Sequence, residues 1–208
     1  MKFSKGTKSN NRSGFSLAEL LVATSLAGAA MAMVMGSFIF ILRFSKTDEG
    51  KLQINRDIRS FTNELSNNAS FANTFSIYKS FTDRTLVSDT QSGDFLLLEF
   101  RDKNDSSLVS RIVGYYRVTD GSDDPGPVQT FTLDYSTPSD QSALTLIPST
   151  SSSGTHTVVA ELSQGLADGS LFFNFRNSSI VIRGELIHDI DGTTQVSNTY
   201  NFTISPRG

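Results

Sequence analysis

Glu19 is the only charged side chain between Arg12 and Arg43. Around it, the string RSGFSLAELLVATSLAGAAMAMVMGSFIFIL is apolar, small or hydroxyl-bearing. A carboxylate in such surroundings must meet a cation, take up a proton or stay near water, because a lone buried charge is costly. Other constellations are weaker. Asp120-Gly121-Ser122-Asp123-Asp124 and Asp189-Ile190-Asp191-Gly192 offer oxygens, but calcium takes about 6–8 of them. Neither string has the spaced ligands and closing glutamate of an EF-hand loop, and polar turns account for both. His156 and His188 are the only histidines, and no nucleophile-elbow motif accompanies the many serines. Histidines in surface loops or at strand ends account for them. Isolated Gly93, Gly114, Gly184 and Gly192 make no phosphate cradle. The chain has no cysteine, which excludes disulfides, thiol catalysis and zinc–thiolate sites. No catalytic residue, metal ligand or cofactor is expected. The net charge of −3 and the lack of a basic patch among Tyr115, Tyr116, Phe172, Phe173 and Phe175 argue against nucleic-acid binding. Those aromatics are expected to pack within a sheet.

The element that must position Glu19 is the apolar run itself. From Phe15 to Leu42 it holds about 28 residues, or roughly 42 Å of helix. A bilayer core needs only about 20. Lys2, Lys5, Lys8 and Arg12 precede it with no intervening acid. That basic flank predicts a cytoplasmic N-terminus and a large domain on the far side of the membrane. A secretory signal peptide would share the basic start, with cleavage near Ala29 or Ala32. Such a cut would leave Met33–Leu42 as a greasy new terminus of no evident use. A plain uncleaved anchor, carrying a periplasmic or surface ligand-binding domain, would leave Glu19 unexplained. A carboxylate at mid-span costs about 2.5–3.5 kcal/mol, although near a helix end it can snorkel.

Gly14-Phe15-Ser16-Leu17-Ala18-Glu19-Leu20 resembles the N-terminus of type IV prepilins and type II secretion pseudopilins. That family has a short basic leader, a glycine, an aromatic residue and a glutamate four residues after it. The resemblance covers about the first 45 residues. It implies cleavage between Gly14 and Phe15 by prepilin peptidase, then N-methylation of Phe15. It also implies assembly with other pilin or pseudopilin subunits at an inner-membrane assembly platform. The Glu19 carboxylate would then pair with a terminal amine, usually that of a neighbouring subunit's Phe15. Such a pair sets register more than net stability. The implied protein is a non-enzymatic structural subunit. With no cysteine for the closed C-terminal loop of many major pilins, it resembles a minor pilin or J-type pseudopilin more closely.

Gly28, Ala32 and Gly36 recur at four-residue spacing, a row that would let helix backbones approach closely. Beyond Arg43, Ile54, Ile58, Phe61 and Leu65 form one helical stripe. The helix is expected to continue to about Ser66 and stop at Asn67-Asn68. Strands are expected at 75–78, 94–101, 109–118, 129–135, 143–147, 157–162, 170–176, 180–188 and 195–204. Loops are expected at 120–127 and 149–157, with hairpin connections at 101–107 and 189–194. The organisation predicted is a leader (1–14), a hydrophobic assembly helix (15–42), an amphipathic continuation (43–68) and a strand-rich periplasmic or extracellular domain (69–208). The fold class is α+β and pilin-like: a long N-terminal helix packed on an antiparallel sheet.

Overall fold

A computed structural model describes residues 15–118, 126–149, 156–165, 170–189 and 195–207, with the backbone alone for 161–165. The chain divides into two compact units, Met1–Ser45 and Lys46–Gly208. In the first unit the described residues are helical from Leu17 and open to the surroundings throughout. This helix, α1, runs to Phe71.

The second unit is α+β. The later turns of α1 bury Ile54, Phe61, Leu65 and Ala69 against a sheet, with Ile58 packed at the margin. Each fully buried aliphatic or aromatic side chain contributes about 1.5–3 kcal/mol, and Ile54, Phe61 and Leu65 are all fully buried. The helix passes the expected stop at Asn67-Asn68. Asn68 is not free to cap it, because its amide donates to the Tyr115 hydroxyl at 2.6 Å. Ala69 and Ala72 extend the buried stripe with side chains too small to read as apolar periodicity.

The strands are β1 (Thr74–Tyr78), β2 (Ser92–Gly93), β3 (Phe95–Arg101), β4 (Val109–Arg117), β5 (Gly126–Ser139), β6 (His156–Gly165), β7 (Phe172–Phe175), β8 (Ser179–Asp189) and β9 (Gln195–Ile204). They form one antiparallel sheet in the order β1-β3-β4-β5-β6-β8-β7-β2, with β9 paired to β8 along its whole length. β6 and β7 share one long side of β8: β7 meets its first half and β6 its second.

β3 reads Phe-Leu-Leu-Leu and is buried on both faces. Leu96 and Leu98 join the core under α1, while Phe95 and Leu97 join a second, aromatic core on the opposite face. A strand covered on both sides loses the alternation of a half-buried one. In that second core Phe81 stacks on Tyr116 with ring centroids 4.1 Å apart, and Phe131 and His156 complete the cluster.

One expected strand is overturned. Residues Ala143–Leu146 form a single helical turn, α2, closed by the Thr145 amide on the Ser142 carbonyl at 2.9 Å. A strand would put Ala143, Thr145 and Ile147 on one face. The turn instead buries Ala143 and Ile147, leaving Thr145 exposed with its hydroxyl bonded to Ser142. β5 runs past its expected limits at both ends, and Pro127 still accepts the Val118 amide at 2.8 Å. Phe175 departs from its expected burial: it is largely exposed, with the Arg176 guanidinium over its ring.

Candidate assembly site at the helix start

The described chain opens at Phe15, an exposed aromatic one residue ahead of Ser16 and the first helical turn. Gly14, Lys2, Lys5, Lys8 and Arg12 lie outside the described residues. Four backbone amides at a helix start have no partner within the helix. Here Ser16 and Glu19 take two of them. The Ser16 hydroxyl accepts the Glu19 amide at 3.3 Å, and Glu19 Oε2 accepts the Ser16 amide at 2.9 Å. The Ser16 hydroxyl also donates to Oε2 at 3.0 Å. This reciprocal arrangement is a capping box, and its sequence signature is a serine or threonine followed three residues later by glutamate. Ser16-Leu17-Ala18-Glu19 carries that signature, so Ser16 could have been read from spacing alone.

Both serine bonds fall on Oε2. Among the described residues, nothing is bonded to Oε1 of Glu19. The site therefore presents one fixed carboxylate oxygen and one available oxygen at the end of an apolar helix.

The rest of the span hides its polar groups. Thr24 Oγ1 bonds back to the Leu20 and Leu21 carbonyls at 3.0 and 3.1 Å. Ser25 bonds to Val22 at 2.9 Å, and Ser37 to Met33 at 2.9 Å. Such i−3 and i−4 bonds satisfy hydroxyls where water is missing. α1 is long and apolar enough here to cross a membrane, and none of that stretch is buried. Gly28, Ala32 and Gly36 lie along it, all exposed, and a Cβ on either glycine would meet nothing within 4 Å.

A family model of the prokaryotic N-terminal methylation motif matches residues 9–35. Over that N-terminal segment the chain matches the motif of prepilin-type pilins and pseudopilins. This match takes in the span's first half, Phe15, Ser16 and Glu19, and together with the apolar helix it supports a membrane-anchored protein of the kind that prepilin peptidase processes. Neither curated proteins nor solved structures gave a match. The prepilin-type motif lies at the start of a chain whose α+β fold, a long N-terminal helix and an antiparallel sheet, is consistent with a pilin.

The remaining candidates separate from this site. His156 and His188 both sit at strand ends, and His156 Nδ1 lies 2.8 Å from the Tyr116 hydroxyl within the aromatic core. Asp120, Asp123, Asp124 and Asp191 fall outside the described residues. Among the described residues, no three His, Asp or Glu side chains converge as a metal site. A shallow cavity of about 170 Å³ is lined by Ser80, Phe81, Thr82, Tyr116, Arg117, Val118 and Gln129.

Proposed function

We propose that the chain is a minor pilin or pseudopilin subunit, cut between Gly14 and Phe15 and N-methylated on Phe15. It then enters a type IV pilus or type II secretion pseudopilus through an inner-membrane assembly platform. Before assembly it crosses the inner membrane once, with its N-terminus cytoplasmic and the strand-rich domain periplasmic. Glu19 is the assembly charge. In a bundle of apolar helices its carboxylate has no water, and an ammonium on a neighbouring subunit's Phe15 is the compensation available. Gly28, Ala32 and Gly36 form the row along which neighbouring helices approach.

The observation that carries this reading is the coincidence of the methylation motif at residues 9–35 with a carboxylate one turn inside a fully exposed apolar helix. Mass spectrometry of the N-terminal peptide from membrane-extracted protein tests it. The expected terminus is N-methyl-Phe15. An intact Met1 would instead support an uncleaved anchor for a ligand-binding domain. A terminus near Ala29 or Ala32 would mean ordinary signal-peptide cleavage.

A further inference from the structure

Ser16 has no part in the proposed charge pair, yet it makes the contacts that fix where the carboxylate sits. We infer that Ser16 is a positioning residue for assembly. It ties Glu19 Oε2 to its own helix and leaves Oε1 for the ammonium of the next subunit. The inference rests on the reading of Glu19 as the assembly charge and goes further, to how one chain prepares that charge.

Three facts support it. The serine hydroxyl and amide converge on the same oxygen at 3.0 and 2.9 Å. An ionised carboxylate offers about four acceptor sites over its two oxygens, so the box and an incoming ammonium do not compete. The Ser16 amide belongs to the Phe15–Ser16 peptide bond, so cutting before Phe15 leaves the box intact. Independently, the match to the N-terminal methylation motif over residues 9–35 supports a processed, amine-bearing terminus close to Glu19, the cation that the proposed function places at Phe15. A single N-methyl group keeps that charge. The physical benefit is preorganisation: a glutamate side chain free to rotate in the resting subunit would lose that freedom on docking, whereas one already held loses less.

Substitutions at Ser16 separate positioning from plain helix capping. Threonine keeps both the acceptor and the hydroxyl donor. Alanine removes both. Aspartate remains a good helix N-cap but cannot donate to Glu19, and it repels the carboxylate. The full chain would be expressed with its peptidase and assembly machinery, and incorporation into sheared filaments measured relative to membrane-resident subunit bearing a mature Phe15 terminus. We expect Ser16→Thr within about twofold of wild type, and Ser16→Ala reduced by about fivefold, the cost of a lost cap. Ser16→Asp should incorporate as poorly as alanine. Aspartate matching wild type would reduce Ser16 to a cap, and alanine matching wild type would remove its role altogether; either overturns the inference. Glu19→Ala runs alongside: if it assembles like wild type, the assembly-charge reading fails first, which distinguishes the two failures.

Discussion

Arg117 donates from Nη2 to Asp94 Oδ2 at 2.7 Å, with only 3% and 10% of the two side chains exposed. Asp94 is a junction as well as a counter-ion. Its Oδ1 accepts the Leu171 amide at 3.0 Å, its own amide donates to the Lys79 carbonyl, and its carbonyl accepts the Arg117 amide. One residue thus ties together the segment after β1, the end of β4 and the approach to β7.

Removing one partner of a withdrawn ion pair leaves the other charge uncompensated, at about 3–5 kcal/mol. Asp94→Ala should therefore lower stability by that order in urea unfolding of the detergent-solubilised chain. Asp134→Ala is the contrast. Arg111 and Asp134 lie 3.4 Å apart, and the aspartate is 76% exposed, so its loss should change stability by less than about 1 kcal/mol. Equal losses would contradict this ranking.

The Phe131 ring lies across the β4–β5 ladder directly over its register partner Gly114. A Cβ there would sit 2.2 Å from Phe131 Cε1. Gly114→Ala should cost about 1–3 kcal/mol by overpacking. Adding Phe131→Leu should recover part of the loss in a double-mutant cycle. A fully additive double mutant would show that the ring and the glycine are independent.

Tyr115 bridges the helix and the sheet: it receives the Asn68 amide and donates to Glu64 Oε1 at 3.2 Å. Tyr115→Phe leaves both partners short of a bond and should cost about 1–3 kcal/mol. Burial raises the Tyr115 hydroxyl well above its ordinary pKa, and the neighbouring Glu64 carboxylate adds to the effect. Tyr78, Tyr116 and Tyr135 are also raised by burial. A raised folded-state pKa gives stability that is complete below the unfolded value, about 10 for tyrosine, and lost as pH climbs towards the folded one. Stability should accordingly begin to fall above about pH 10. Tyr115→Phe should flatten part of that fall, and an unchanged alkaline slope would count against the assignment.

Glu19→Ala should leave cleavage before Phe15 intact while lowering filament incorporation by more than about tenfold, since each 1.4 kcal/mol of a lost buried pair is a factor of ten. Immunoblots of sheared and membrane fractions read both steps at once. Normal incorporation would remove the carboxylate from the assembly mechanism.

Large side chains made much of this legible in sequence. Ile54, Phe61 and Leu65 announced the buried stripe, and the β3, β4, β8 and β9 runs were long enough to identify as strands. Small and local features were not. Ala69 and Ala72 bury like core residues without a hydrophobic signature, and Asn68 looks like a stop until its amide is seen on Tyr115. Ala143-Leu144-Thr145-Leu146 alternates like a strand, and the burial of Ala143 and Ile147 suits either conformation; the turn shows only in the Thr145 amide bonded to the Ser142 carbonyl and in the exposure of Thr145. At the helix start, the lone carboxylate was legible in the sequence, and its proposed cation came from the resemblance alone. The contribution of Ser16 needed the Ser16–Glu19 spacing read as helix capping.

The hydroxyls of Thr24, Ser25 and Ser37 are each turned back on a carbonyl of their own helix. Past its first turn, the described span therefore presents hydrocarbon with its side-chain hydroxyl donors already used within the helix. Such a stretch can turn and shift lengthwise in a bilayer without breaking polar bonds, so its depth is fixed by the charged groups at its two ends, Glu19 and Arg43.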